Sequence, residues 1–443
     1  MYFRTYLCDA RRISVRRMDS MRNKNYIKKI LFLFREQVNL FSFYVITNLC
    51  IICPLHLFGY TPFQRLFRLI YIAWTVFLVF LDLIKKKLKF DGITITMALF
   101  FVWACISYLF QPRAHGIIPL TYLFTLLMMT AIFFQMARYY SGIEMNKYLV
   151  FIGKVVIYSV IVLNILSILY FCIYDQVNLP SFIASLFNSS VGIYHHEILG
   201  GEKCFVAICF CYYLYKQSKI SLIIVIVTIL TSIIILYKGR PRTTFVQIAI
   251  VSFYLFYLLL KKLFGKEKAN KMILVFGGFI ALVIIAFLVY SLTGHLINGR
   301  SFWDISTGRS EMWSIVFHAS LERPILGWGW GNGEPMGKWV GVGFVENCHN
   351  VLLNILLWTG FPGLILFCII IVMWVIKIYK ELPLIENTGN TWFLVVTVAL
   401  FAQSLLDPLL VGEDTRLGSP FFWFLAGMLY YLDQTYTDKR AIS

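Results

Sequence analysis

Stretches of about twenty apolar residues recur from one end of this chain to the other, and they decide most of what it can be. An α-helix rises 1.5 Å per residue, so about twenty residues cross the ~30 Å hydrocarbon core of a bilayer. Lipid offers the backbone no hydrogen-bond partners, and apolar runs of this length satisfy their own amides only as helices. The 443 residues are 59% hydrophobic and 14% charged, against about 45–50% and about 25% in ordinary soluble domains. The sequence therefore predicts an all-α, polytopic membrane helical bundle forming one integral domain.

Twelve spans are expected, at 39–58, 66–84, 92–111, 117–137, 149–174, 199–215, 219–237, 243–260, 272–293, 361–379, 391–408 and 418–432. The net charge of +18 is spread through short segments between spans, such as "KKKLK" at 85–89 and "KKLFGKEKANK" at 261–271. Basic residues in this arrangement mark cytoplasmic loops, whereas a nucleic-acid partner requires a basic domain or patch. With the N-terminus inside, 27 of the 40 Lys and Arg fall inside, 11 outside, and Lys154 and Lys203 within spans. The expected organisation is a basic cytoplasmic leader over 1–38, spans one to nine over 39–293, and an exoplasmic loop with an interfacial helix over 294–360. Spans ten to twelve and a short cytoplasmic tail follow over 361–443. No cleavable signal peptide is expected, and translation starts at Met1 or at Met21. The cysteines are scattered and mostly within spans, so no disulfide framework is implied. The Cys50–Cys53 pair lacks a second ligand pair and reads as helix packing.

Polar sequence concentrates on the predicted outer face. The turn "KGRPR" puts Arg240 and Arg242 at an outer helix boundary, and Arg300 and Arg309 follow in "NGRSFWDISTGRSEMW". Guanidinium stays charged and holds phosphate through two parallel hydrogen bonds, so these four arginines suit a lipid diphosphate. Snorkelling to phospholipid headgroups is the bland alternative. The stretch "HNVLLNILLWTGFPG" opens with His349-Asn350 and is interrupted by Gly360, Pro362 and Gly363. It predicts a short surface helix over 349–359, a break, and then span ten. The glycines leave one face bare for close approach by another helix or a lipid. His349, at the membrane surface, has the chemistry of a general base. Trp328 and Trp330 in "GWGWGNG" are candidates for stacking on sugar rings, with an interfacial aromatic belt as the alternative. His195, His196 and Glu197 lack a spaced third ligand, so no metal is expected. Glu202 and Lys203, charged within span six, read as a mutual pair.

The order of these elements resembles the O-antigen ligase and polymerase superfamily. His349-Asn350, nine residues, then Gly360-x-x-Gly363 is similar to that family's H-[N/S/Q]-x9-G-x-x-G motif. The segment Thr307–Gly333 is similar to its Gly-Arg, tryptophan-bearing helix and "RP-x-x-G-x-G" pattern. The "KGRPRTTF" turn resembles its Ser/Gly-Arg element, with Gly239-Arg240-Pro241-Arg242 where serine-arginine is usual, leaving open which arginine acts. The resemblance implies transfer of an undecaprenyl-diphosphate-linked glycan to a sugar acceptor outside the plasma membrane, with no cofactor and no metal. It further implies His349 as base, Arg240, Arg242, Arg309 and Arg300 as diphosphate ligands, and Asn350 in support. Partners would be the lipid-linked glycan, a glycan or lipid-anchored acceptor, membrane lipids and other polysaccharide-assembly proteins. A repeat-unit polymerase and a ligase onto lipid A core share this chemistry. The Ile/Lys/Phe/Tyr-rich composition hints at an AT-rich genome without an outer membrane, a slight lean to polymerase. A transporter or flippase of lipid-linked oligosaccharide is the alternative of another class.

Overall fold

The structure, a computed structural model, describes residues 40–52, 70, 73–77, 91–110, 118–140, 145–176, 197–239, 241–275, 277–278, 309–334, 336–337, 347–407, 410 and 417–432. Its principal helices are α1 (Leu40–Thr47, continued by a π-turn over Asn48–Ile52), α2 (Gly92–Leu109), α3 (Ile118–Tyr140), α4 (Met145–Gln176), α5 (Glu197–Lys216) and α6 (Leu222–Gly239). They continue with α7 (Arg242–Phe264), α8 (Arg309–Glu322), α9 (Val351–Asn387), α10 (Thr391–Ser404) and α11 (Gly418–Tyr430). No strand occurs among the described residues. Among the described residues, five helices are long and apolar enough to cross a membrane: Gly92–Leu109, Met145–Leu169, Leu222–Gly239, Arg242–Phe264 and Val351–Asn387. The other expected spans are shorter helices, more polar helices such as α5, or lie largely outside the described residues, as spans two and nine do.

Burial in α6 is inverted relative to a soluble helix. Ile223, Ile226, Leu230, Ile233 and Tyr237 are exposed at three- and four-residue spacing, while Thr228 and Ser232 are buried. An apolar stripe facing outward is stable only against lipid, and polar side chains then find partners inside the bundle. Asn164 of α4 is one such partner, donating from Nδ2 to Thr231 and Ser232 at 3.3 Å each. The protein is a multi-pass membrane protein built on this inverted plan.

Three helices fix the level of the site. Gly201 of α5 lies so close to Pro241 and Thr244 of α7 that a Cβ there would meet Pro241 Cγ at 2.7 Å. At the far end Trp392 of α10 donates to the Cys209 carbonyl at 3.1 Å, with its ring 4.1 Å from Tyr212 and 6.3 Å from Tyr254. Helices α5 and α7 thus run side by side in one direction and α10 runs against them. The starts of α5 and α7 share one end of the bundle with the end of α10. Lys216, Lys261 and Lys262 mark the opposite end.

The long α9 is broken at Gly360, where φ is 68° and ψ −171°, a region essentially closed to other residues. The break falls where the sequence placed it. The turn after α8 docks onto it through backbone hydrogen bonds: Trp328 N–H donates to the Leu357 carbonyl at 2.8 Å, Gly329 N–H to Trp358 at 3.1 Å, and Phe361 N–H to Pro324 at 2.8 Å. Both crossing points are glycine. A Cβ on Gly327 would sit 2.6 Å from the Leu357 oxygen, and one on Gly360 would sit 2.5 Å from the Pro324 oxygen. Carbonyls released by the break are also taken by α2, with Trp103 Nε1 donating to Thr359 at 2.9 Å and Ser107 to Trp358 and, at 2.8 Å, Leu326. The bare glycine face thus admits a turn at Gly360 and α2 at Gly363, where Trp103 is 3.2 Å from an added Cβ.

Candidate active site

The residue on which the sequence reading centred is not in the helix it was assigned to. Asn350 is the N-cap of α9, accepting from the amides of Leu352 at 3.0 Å and Leu353 at 3.1 Å. Asn is a preferred cap because its carbonyl satisfies amides that have no intrahelical partner. His349 therefore precedes the helix, and its backbone is left-handed at φ 56°. That conformation costs a non-glycine residue about 1–2 kcal/mol and is held by asparagines on either side. Asn347 Oδ1 accepts from His349 N–H at 3.1 Å, and Asn354 Oδ1 accepts from Cys348 N–H at 3.0 Å. From α8, Trp313 Nε1 donates to the Cys348 carbonyl at 2.8 Å.

This turn aims the imidazole at the end of α10. His349 Nδ1 lies 3.2 Å from Asp407 Oδ1. The carboxylate side chain is fully buried, whereas the imidazole side chain remains 34% exposed. Two more side chains converge on the same three residues. Asn350 Nδ2 donates to the Leu405 carbonyl at 3.0 Å, and Arg309 donates to the Leu406 carbonyl at 3.1 Å. The Leu405–Asp407 turn thus gathers His349 and Asn350 from the segment that opens α9 and Arg309 from the start of α8. Arg242, exposed at the start of α7, belongs to the same end of the bundle. Arg240 and Arg300 lie outside the described residues, as do His195 and His196.

The tryptophans are tied into the scaffold. Trp328 Nε1 donates to the Ala319 carbonyl at 2.7 Å, and Arg323 lies 4.8 Å over its ring. Trp330 is fully buried, with Trp358 and Phe100 edge-on at 5.2 and 5.9 Å. Cys348 beside the histidine suggests a thiol nucleophile, but burial pushes that thiol up to about 12, so it stays protonated and inert. Glu202 accepts from Gln403 and from the Gly418 amide, partners the sequence did not suggest.

Asp407 was missing from the sequence reading. It is 58 residues from His349 and closes an apolar run. The available signal was an acid at the end of span eleven, since ionisable residues within spans are functional hints by default. Chemically, an ionised carboxylate only accepts, so a carboxylate at this distance pairs with an Nδ1–H imidazole, whose Nε2 lone pair faces away from it. That is the tautomer a general base needs.

Known proteins align with this region. The family described as O-antigen ligase matches residues 204–368, a stretch that holds all four arginines, both tryptophans, His349, Asn350 and the broken helix, and that stops short of Asp407. A ComP-specific O-oligosaccharyltransferase from Acinetobacter baylyi is 25% identical over 207 residues, covering 44% of this chain. The match spans 36% of that relative's length. Over residues 204–368, the stretch that contains the His349 turn, the chain is similar to the family described as O-antigen ligase.

Proposed function

We propose that this protein transfers a glycan from a polyprenyl diphosphate to an acceptor hydroxyl on the outer surface of the bacterial plasma membrane. The observation that carries the reading is the His349–Asp407 contact at 3.2 Å, made by an imidazole that stays partly exposed, with Arg309 bonded to the adjoining Leu406 carbonyl. Nε2 of His349 takes the acceptor proton as that oxygen attacks the anomeric carbon from the face opposite the diphosphate. The bond from the anomeric carbon to the phosphate oxygen breaks, its electron pair leaves with the diphosphate, and the configuration inverts. Asp407 holds the Nδ1–H tautomer and stabilises the imidazolium that forms. Arg309 and Arg242, with Arg240 and Arg300, neutralise charge developing on the leaving group. A diphosphate is already a good leaving group, so the scheme calls for no metal. The bundle end rich in Lys216, Lys261 and Lys262 reads as cytoplasmic by the positive-inside rule, which supports an exterior His349 end and interior termini.

The test uses purified protein in proteoliposomes with an undecaprenyl-diphosphate oligosaccharide. Removing a general base costs ~10²–10⁴-fold in rate, so His349→Ala and Arg309→Ala should abolish transfer while membrane abundance is unchanged. Wild-type transfer by both variants overturns the assignment. The composition leans toward repeat-unit polymerisation, in which the acceptor is a second lipid-linked glycan and the product a ladder of lengths. The family description and the relative's name support ligation, in which one oligosaccharide reaches a different anchor. Flipping without transfer by the same proteoliposomes would favour a transporter instead.

A further inference from the structure

One charged group at the site end is deeper than the reaction and unused by it. Glu202 is fully buried near the start of α5. Its Oε1 accepts from Gln403 Nε2 at 3.2 Å, and its Oε2 accepts from the Gly418 backbone amide at 3.4 Å. Those two donors bracket the segment that carries Asp407. Gln403 is in the last turn of α10, and its own carbonyl accepts from the amides of Leu406 and Asp407, both at 2.8 Å. Gly418 is the first residue of α11.

A single carboxylate therefore ties both the last turn of α10, just before the Leu405–Asp407 turn, and the start of α11 to α5. The tie is specific in sign, since both partners are donors and an ionised carboxylate only accepts. An amide in its place keeps both bonds only by turning the Gln403 amide over, and both then lose the charge assistance of a carboxylate. Gln403 depends on it further. Its Oε1 is buried without a partner among the described residues, so the bond to Glu202 is what fixes its side chain. A weakened bond to Glu202 leaves this buried amide short of a partner and the end of α10 less firmly held. A shift of that turn moves Asp407 away from His349 Nδ1, and the Leu406 carbonyl away from Arg309.

We infer that Glu202, acting through Gln403, is a positioning residue that sets Asp407 against His349. The inference rests on the reading of His349 and Asp407 as the catalytic pair. Glu202 touches no substrate, so its loss should lower kcat and leave KM for the lipid-linked donor close to wild type.

The test compares Glu202→Gln, Gln403→Glu and the double variant E202Q/Q403E, reading turnover in proteoliposomes beside site-resolved diethylpyrocarbonate modification of His349 in the full-length protein. Glu202→Gln should lower kcat by ~10-fold, the scale on which supporting partners of a functional group act. It should also move the His349 modification rate toward that of Asp407→Asn. Gln403→Glu sets two carboxylates together and should do the same. The exchange restores complementarity, so both readouts should recover in the double variant. The amide then carried by α5 can donate to the carboxylate then carried by α10, and its oxygen can still accept from Gly418. Unchanged kcat and unchanged His349 reactivity in E202Q overturn the inference. So does a double variant no better than either single one, since that reports general damage to the bundle. Should the wild type show no transfer, the proposed function fails, and the His349 modification rates still decide whether Glu202 sets the turn.

Discussion

In the proposed reaction, His349 and Asp407 divide the work of a base between an atom that must meet substrate and one that must not. The imidazole side chain is partly exposed while the carboxylate is buried, and the contact to Asp407 is made by Nδ1, which leaves Nε2 unengaged by that carboxylate. The left-handed backbone at His349 (φ 56°) suggests a cleaner probe than alanine. Asparagine tolerates this region and retains a donor for Asp407, yet has no basic nitrogen. His349→Asn should therefore reach the membrane in wild-type amounts by immunoblot and lose ~10²–10⁴-fold in transfer rate. Asp407→Asn should fall by a comparable factor with its fold intact, because an amide no longer selects the Nδ1–H tautomer. Asn350→Ala should act on stability, losing the α9 cap at about 1 kcal/mol together with the Leu405 link, read as a lower Tm. His349 was legible because its motif is local. Asp407 was not, because 58 residues of chain separate it from its partner.

The broken helix α9 explains at the level of elements why two glycine-bearing motifs occur in one chain. The turn after α8 and the interruption in α9 are halves of one joint, crossing at Gly327 and Gly360 with backbone against backbone. Side chains are excluded on both sides, so each motif needs its glycine. Gly360→Ala should be strongly destabilising. The left-handed backbone alone costs roughly 1–3 kcal/mol, and the added Cβ meets the fixed Pro324 oxygen at 2.5 Å. Gly389→Ala is the control, with φ 73° but nothing within 4 Å of the added Cβ, and should lose only about 1–2 kcal/mol. A thermal-unfolding comparison in detergent should separate the two by several degrees, and equal losses would contradict the joint. Gly360, Pro362 and Gly363 predicted the break, and the two glycines the bare face. It could not say what filled that face, because contacts between the Trp328 turn, Trp103 and Gly360 are made across the bundle and leave no period in the sequence.

For the whole molecule, the end-to-end polarity of the bundle is the consequence to test. In a cysteine-free background, Glu322→Cys at the site end should react with an impermeant maleimide added to intact cells. Lys266→Cys at the lysine-rich end should react only after permeabilisation. The reverse pattern would put His349 on the cytoplasmic side and remove the proposed reaction. The sequence by itself determined that this chain is a helical membrane bundle, where most helices begin and end, and that basic residues collect at one face. Those properties follow from hydropathy and helix capping, which act over a few turns of chain. It also located His349, Asn350 and Arg309. The tertiary structure alone decided that these three meet on the Leu405–Asp407 turn, that the partner of His349 is Asp407, and that Glu202 ties down Gln403 and Gly418. Such pairings depend on which helix ends share a level in the bilayer, which packing sets and local sequence does not encode.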